Sequence, residues 1–166
     1  MLDENLLADE AGRLLKSMGL WLATAESCSG GFLGHIITNI AGSSEYYLGG
    51  FIAYSNNAKE RWLCVTPGTI KTYGAVSRET VLEMASGVRA SFGGDLEQNK
   101  IIGISISGIA GPGGGTFEKP VGTVWIGISS KSGYEATYYH FTGNRELIKT
   151  QSACQALEIL IRYLSQ

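Results

Sequence analysis

Three short segments of the sequence place hydroxyl groups, a lysine or clustered glycines directly after a predicted strand. They are residues 26–31 (ESCSGG), 54–59 (YSNNAK) and 107–115 (SGIAGPGGG). In open α/β sheets, ligands bind beyond the carboxyl ends of the strands. If the three strands run parallel, the three segments meet at one edge of the sheet, and we expect a site there.

The first segment contains a candidate nucleophile, Ser27, just before Gly30, Gly31 and a predicted helix. The start of a helix has free N–H groups and a partial positive charge, which can bind a phosphate or stabilise an oxyanion. A serine in this place is also a common helix cap, so a structural role remains an alternative. Cys28 is a second candidate nucleophile, although no histidine lies in a known pairing pattern with it.

The second segment supplies a candidate base, Lys59, one turn into a predicted helix. A lysine acts as a base only when desolvation or a neighbouring cation lowers its pKa, and most lysines are solvated surface residues. Tyr54 could orient a hydrogen bond nearby. In the third segment, Ser107 and Gly108 open a glycine-rich loop that suits close approach to a ligand, but it matches neither a P-loop nor a dinucleotide-binding fingerprint.

Composition indicates an ordinary globular chain, which we interpret as a single domain over residues 1–166. The chain is 44% hydrophobic and 17% charged, and its net charge of −2 argues against sequence-independent binding to nucleic acid. Three cysteines without a C-x-x-C pair, no signal-peptide pattern and no transmembrane-length apolar run predict a reduced, cytoplasmic protein. His35 and His140 are isolated, so neither a metal nor a cofactor is predicted.

Hydrophobic periodicity and turn residues predict an α/β order of elements. The predicted helices cover residues 3–18, 31–40, 56–63, 77–92 and a last helix from Asn144, the strands cover 20–25, 49–55, 100–107, 121–130 and 134–142, and 66–76 is a loop. The short link KSG forces the last two strands into an antiparallel hairpin. We therefore expect a three-layer α/β/α sandwich whose mixed, mostly parallel sheet has about five strands.

Six segments together resemble the CinA C-terminal domain family. They are residues 24–31 (TAESCSGG), 41–59 (AGSSEYYLGGFIAYSNNAK), 74–77 (GAVS), 107–115 (SGIAGPGGG), 119–128 (KPVGTVWIGI) and 141–146 (FTGNRE). The resemblance spans nearly the whole chain, in order and with compatible spacing. Full-length CinA proteins carry an additional N-terminal domain, and since the motifs begin by residue 24 we expect a stand-alone form. Members of the family tend to self-associate, so a homo-oligomer is expected.

The resemblance implies an amidase that hydrolyses nicotinamide mononucleotide to nicotinate mononucleotide and ammonia, a step in pyridine nucleotide salvage. It assigns Ser27 as nucleophile and Lys59 as base, with Tyr54 beside them, and it matches Arg145 to a functional arginine. Ser29 and Ser107 stand where many members have threonine, so both positions keep the hydroxyl.

These matches predict further roles around a serine–lysine mechanism. N–H groups near Ser29, Gly30 and Gly31 would stabilise the oxyanion. Tyr54 and Ser107 would order hydrogen bonds around the nucleophile and the base. Arg145 would hold the substrate's phosphate, and aromatic residues of the segment 45–51 would face its pyridinium ring.

Two alternatives to this activity remain open on sequence alone. The chain could be a catalytically inactive paralogue that binds a nucleotide, because the family contains members of that kind. It could also be an amidase for another pyridine or purine compound.

Overall fold

The strands and helices of the chain follow one another largely as the periodicity predicts. The computed structural model describes residues 3–94 and 96–166. Its strands are β1 (Trp21–Glu26), β2 (Tyr47–Ile52), β3 (Ile101–Gly108), β4 (Thr123–Ser130) and β5 (Gly133–His140). Its helices are α1 (Glu4–Met18), α2 (Phe32–Thr38), α3 (Asn56–Leu63), α4 (Pro67–Tyr73), α5 (Arg78–Ser91) and α6 (Arg145–Leu164).

The five strands form one mixed sheet in the order β2-β1-β3-β4-β5. Strand β1 pairs in parallel with both β2 and β3, whereas β3–β4 and β4–β5 are antiparallel. The five-stranded mixed sheet is thus confirmed, although its pairings divide evenly between the two directions. The carboxyl ends of β1, β2 and β3 lie at the same edge, as the sequence argument required.

Helices cover both faces of this sheet and complete the predicted sandwich. Helices α1, α2 and α6 pack on one face, while α3 and α4 pack with α5 on the other. Successive side chains of β3 face the two helix layers in turn, so both faces of the strand are buried and its sequence is almost continuously apolar. Ile104 and Ile106 belong to the core under α1 and α6, whereas Gly103 and Ser105 face α5.

Capping residues set most of the helix boundaries. Gly19 ends α1 in the left-handed conformation, and the Asn144 side chain accepts the Leu147 N–H at the start of α6. None of the described helices combines the length and apolar character that a membrane span requires.

Helix α4 is a correction to the sequence prediction, which made residues 66–76 a loop. The Thr66 hydroxyl accepts the Thr69 N–H, and Pro67 occupies the first helical position. Both are ordinary helix-start signals, because proline there loses no intrahelical hydrogen bond. The glycine and threonine content of this segment favoured a loop prediction, but a short helix runs from Pro67 to Tyr73 with Gly74 as its C-cap.

Candidate active site

Ser27 begins a tight turn between β1 and α2, the segment 27–31, which we call the nucleophile turn. The Ser27 N–H still pairs with the Ile106 carbonyl at 2.9 Å, so the turn starts in register with β3. The chain then reverses through Gly30 (φ 64°) and Gly31 (φ 91°), a left-handed conformation that favours glycine. Ser27 therefore sits at the rim of the sheet, fixed by strand pairing on one side.

Glu26, the last residue of β1, closes the start of α2. Its carboxylate accepts the N–H groups of Gly31 at 3.0 Å, Leu33 at 3.1 Å and Gly34 at 2.8 Å. Sequence reasoning missed this residue, although a single acidic side chain ending an otherwise apolar strand could have indicated it. Glu26 is 2% exposed, so its charge depends on these donors.

The carboxylate changes which N–H groups could meet an oxyanion. The Gly31 N–H is bound to Glu26, and the Gly30 N–H donates to the Ser27 carbonyl at 3.1 Å. Two of the groups expected to face substrate are therefore occupied. Within residues 3–94 and 96–166, the N–H groups of Cys28 and Ser29 meet no oxygen acceptor, and both lie within hydrogen-bonding reach of the Cys28 sulfur. Any oxyanion contact from this turn must come from one of those two, and of the two residues Cys28 lines the cavity.

Lys59 reaches the same place from the neighbouring strand–helix junction, residues 53–59, which we call the base arm. The Ser55 hydroxyl accepts the Ala58 N–H and starts α3, which places Lys59 one turn later. Helix α3 packs against α5, and a side chain at Gly87 would collide with the Leu63 carbonyl. Lys59 itself is 1% exposed.

The Lys59 amine lies 2.9 Å from the Ser27 hydroxyl oxygen. It also donates to the carbonyls of Ala53 at 2.9 Å and Tyr54 at 3.4 Å. A neutral amine has two N–H groups and one lone pair. With two carbonyls taking the N–H groups, the lone pair is left to accept the Ser27 proton. The sheet fixes this arrangement, because the Ala53 N–H donates to the Glu26 carbonyl at 2.8 Å.

Burial shifts the pKa values of Lys59 and Cys28 in opposite directions. Desolvation lowers the pKa of Lys59 from 10.5 to about 8, although the neighbouring Cys28 acts in the other direction. Desolvation raises the pKa of Cys28 to about 12. The amine is therefore partly uncharged near neutral pH, whereas the thiol stays protonated. Among the described residues the Lys59 amine contacts the Ser27 hydroxyl and makes no hydrogen bond to the Cys28 thiol, and this contact argues for Ser27 over Cys28 as the nucleophile.

A cavity of about 180 Å³ lies at this edge and joins the three predicted segments. The residues that line it are Ser27, Cys28, Tyr54, Asn56, Lys59, Ala75, Val76, Ser107, Gly108, Ala110 and Arg145. The structure thus brings together both candidate nucleophiles, the candidate base, and four more of the predicted site residues: Tyr54, Ser107, Gly108 and Arg145. Ser29, Gly30 and Gly31 are not part of this lining, and Ser29 is completely buried beneath the turn. Asn56, Ala75 and Val76 lie in the motif segments 54–59 and 74–77, but the sequence predicted no role for any of the three.

Arg145 and Tyr54 form the rim of the cavity. The Arg145 guanidinium donates to the Gly111 carbonyl at 2.6 Å and to the Tyr54 phenol oxygen at 2.7 Å. Tyr54 is 60% exposed, and its contact with the Lys59 amine is through the backbone carbonyl rather than the phenol. No carboxylate in the described part of the chain pairs with Arg145, so its charge is available to an anion at the rim.

Ser107 and Gly108 shape the opposite wall. The Ser107 hydroxyl donates to the Ala75 carbonyl at 2.7 Å, so it anchors the segment before α5. The expectation that this hydroxyl orders hydrogen bonds around Ser27 and Lys59 is therefore not what the structure shows. At Gly108, a side chain would collide with Val124 and press against the Cys28 sulfur, which explains the glycine.

The aromatic residues of the segment 45–51 do not line the cavity, so that expectation is wrong. Tyr46 is buried against Gly12 of α1, and Phe51 stacks on Trp62 and contacts Phe92 with a tilted ring on the other face of the sheet. These residues precede the carboxyl end of β2, whereas the cavity lies beyond it. Tyr54, which follows that end, is the aromatic residue that reaches the cavity.

Comparison with known proteins gives consistent matches over nearly the whole chain. The CinA C-terminal domain family matches residues 4–164. A nicotinamide-nucleotide amidohydrolase, PncC, of Enterobacter agglomerans is 46% identical over 94% of this chain and 92% of its own length. The crystal structure of a CinA superfamily protein of Klebsiella pneumoniae 700603 has a TM-score of 0.91 and 34% identity, with 98% of both chains covered.

Other relatives are much longer than this chain. A CinA-like protein of Thermotoga maritima is 49% identical over 92% of this chain, which spans 36% of that protein. Several more are similar, with this chain spanning 38% of each. The family match, these identities and the shared fold lead to one conclusion: the chain belongs to the CinA C-terminal domain family.

Proposed function

We propose that this chain hydrolyses the carboxamide of nicotinamide mononucleotide to nicotinate mononucleotide and ammonia, with Ser27 as nucleophile and Lys59 as base. The observation that carries the chemistry is the 2.9 Å contact between the Ser27 hydroxyl and a buried lysine amine whose pKa is lowered to about 8. The choice of substrate rests on the similarity to the Enterobacter agglomerans amidohydrolase.

The reaction proceeds through a serine ester. The neutral Lys59 amine takes the proton of Ser27 as the hydroxyl oxygen attacks the carboxamide carbon. The oxyanion that forms lies near the Cys28 N–H, which has no oxygen acceptor among the described residues and belongs to a residue that lines the cavity. Lys59 then gives its proton to the departing nitrogen, the carbon–nitrogen bond breaks, and ammonia leaves.

Water completes the cycle with the same two side chains. Lys59, neutral again, takes a proton from a water molecule as its oxygen attacks the ester carbon. The Ser27 oxygen leaves with the proton from Lys59, and the nicotinate product is released. The pyridinium ring withdraws electrons from the carboxamide carbon and makes both attacks easier.

The rim supplies candidates for recognition of the nucleotide. Arg145, without a carboxylate partner among the described residues, offers its charge to the phosphate. The exposed Tyr54 ring at the mouth is the aromatic face nearest to the pyridinium, a contact worth about 0.5–2 kcal/mol. Ser107 and Gly108 form the wall opposite the base.

A single-turnover assay of ammonia release from nicotinamide mononucleotide tests the proposal. We expect Ser27→Ala to lower the rate by about 1,000-fold or more, because no other group replaces the nucleophile. Mass spectrometry of a quenched wild-type reaction should find the nicotinate mononucleotide acyl group, with its ribose phosphate, as an ester on the peptide that contains Ser27. Cys28→Ser, the matched control at the adjacent residue, should retain most of the rate.

Three results would contradict the proposal. A near-normal rate in Ser27→Ala would exclude serine catalysis. Binding of the nucleotide without ammonia release by the wild type would favour the inactive paralogue. Faster hydrolysis of a different pyridine or purine carboxamide in a substrate panel would change the assigned substrate.

A further inference from the structure

We propose that Glu26 is a positioning residue for the reaction: its buried carboxylate ties the end of β1 to the start of α2 and so holds the nucleophile turn with the Ser27 hydroxyl facing Lys59. The inference rests on the proposed function for its kinetic test. It concerns a residue that does not line the cavity and that touches no reacting atom.

The Glu26 carboxylate caps the first turn of α2, although it lies in the preceding strand. Helix α2 has seven residues, and its cap residue Gly31 has no side chain to accept an N–H. Glu26 supplies the cap from the preceding strand, through three N–H donors at 2.8–3.1 Å. Three such bonds compensate for burying the charge, which the positive end of the helix also stabilises.

The position of the nucleophile turn depends on these hydrogen bonds to Glu26. Its one internal backbone bond runs from the Gly30 N–H to the Ser27 carbonyl, and two glycines in the left-handed region give it little stiffness of its own. The Ser27 N–H fixes the first end to β3, at the Ile106 carbonyl. The Gly31 N–H fixes the last end to the Glu26 carboxylate. Without the carboxylate, the turn stays joined to α2 through the Phe32 N–H on the Ser29 carbonyl at 3.3 Å and the His35 N–H on the Gly31 carbonyl at 2.9 Å, but its last end loses the tie to β1.

Glu26 also connects the turn to the base arm. Its carbonyl accepts the Ala53 N–H at 2.8 Å, and the Ala53 carbonyl in turn accepts the Lys59 amine at 2.9 Å. The side chain of one residue thus fixes the nucleophile and its main chain fixes the base. A change that loosens only the side chain should misplace Ser27 and leave Lys59 where it is.

Glu26→Gln is the informative substitution because it keeps the size of the side chain. Both carboxylate oxygens accept N–H groups, whereas an amide has one oxygen and one NH₂ group. The NH₂ group must therefore face at least one N–H donor, and the cap is broken on that side. We expect kcat for nicotinamide mononucleotide to fall by about 10- to 100-fold, with KM changed less than about twofold, because misplacing a reacting group lowers the chemical step.

Glu83→Gln is the matched control. The Glu83 carboxylate caps a different helix start, accepting the Thr66 N–H at 2.7 Å and the Thr69 hydroxyl at 2.6 Å. We expect both variants to unfold at lower temperature and only Glu26→Gln to lose kcat. Glu26→Asp keeps the charge but is shorter by one methylene, so kcat should fall in this variant too. If Glu26→Gln does not fold, Glu26→Asp tests the same role.

Two further readouts separate positioning from general damage. The rate at which a fluorophosphonate probe labels Ser27 should fall in parallel with kcat, and the midpoint of the pH–rate profile should stay where Lys59 sets it. A Glu26→Gln enzyme with kcat and labelling within twofold of wild type, or an equal loss in Glu83→Gln, would overturn the inference. If wild type releases no ammonia from the nucleotide, the proposed function fails, and the labelling rates alone decide the role of Glu26.

Discussion

The two strand–helix junctions that meet at the cavity have a similar backbone arrangement but place their functional residues differently. Each starts at the carboxyl end of a parallel strand and leads into a helix with a capped first turn. In the nucleophile turn, the cap comes from Glu26 in the strand and the reactive residue, Ser27, lies before the helix. In the base arm, the cap is Ser55 in the loop, and Lys59 lies inside the helix.

The difference follows from what each group must do. An alcohol must meet the substrate, so Ser27 lies in a turn at the rim and lines the cavity. An amine that acts as a base must lose its proton, and Lys59 is almost fully buried, so desolvation lowers its pKa. The proposed nucleophile is thus positioned by backbone geometry and the proposed base is prepared by desolvation, so a substitution can disturb either one separately.

The largest effect that separates the two junctions is expected from Lys59→Met. Removing the base should lower kcat by about 100- to 10,000-fold, the range that a general base contributes. The fold should not suffer at pH 7, because a buried cation without a carboxylate partner is replaced by an apolar chain of similar length. Ammonia release and urea unfolding measure the two quantities.

The same variant measures how much burying the Lys59 cation lowers the free energy of unfolding. Burial lowers the pKa of Lys59, so the unfolded chain binds the proton more tightly than the folded one. The cost is therefore largest below about pH 8, and the wild type should gain stability as the pH rises from about 8 towards 10.5. This gain should be absent in Lys59→Met. Parallel curves for the two proteins would mean that desolvation does not set the pKa.

The next effect is the pH dependence of the wild-type rate. Since the base works only without its proton, kcat/KM should rise about tenfold per pH unit below about 8 and level off above it. Stopped assays of ammonia release in overlapping buffers measure the profile. A flat profile between pH 6 and 8 would show that Lys59 is not the base, and the base arm would lose its assigned role.

Much of the fold could be predicted from the sequence because the signals were local. Alternation and capping residues placed the strands within about two or three residues of their observed bounds, and α3 was predicted at Asn56–Leu63, as observed. The parallel arrangement of three strands was enough to bring Ser27, Lys59 and Ser107 to one edge. Local patterns sufficed there because the sheet imposes the long-range geometry.

The remaining details could not be predicted because they depend on contacts between distant segments. Nothing in the sequence near Ser107 indicates that its hydroxyl binds the Ala75 carbonyl, 32 residues away. The Tyr54–Arg145 hydrogen bond joins residues 91 positions apart. Glu26 is close to its partners in sequence, but a carboxylate at a strand end is normally expected to face solvent.

A smaller effect is expected at the rim, where neither junction supplies the chemistry. Tyr54→Phe removes the phenol that accepts from Arg145 and leaves the guanidinium held by the Gly111 carbonyl. Losing one hydrogen bond of about 1 kcal/mol should raise KM for nicotinamide mononucleotide about fivefold, with kcat within about twofold. The Lys59 contact persists because it uses the Tyr54 backbone carbonyl. A large fall in kcat would instead place the phenol in the chemical step.

The smallest effect, and the one that completes the comparison, is expected from Ser55→Ala in the base arm. The variant loses the cap of α3 and should be less stable by about 1 kcal/mol, measured by urea unfolding. Its kcat should stay within about twofold of wild type, because the carbonyls of Ala53 and Tyr54 still hold the Lys59 amine. Equal losses of kcat in Ser55→Ala and Glu26→Gln would show that the two caps serve the site alike. A loss confined to Glu26→Gln would show that the base tolerates a looser helix because burial, and not the cap, defines it.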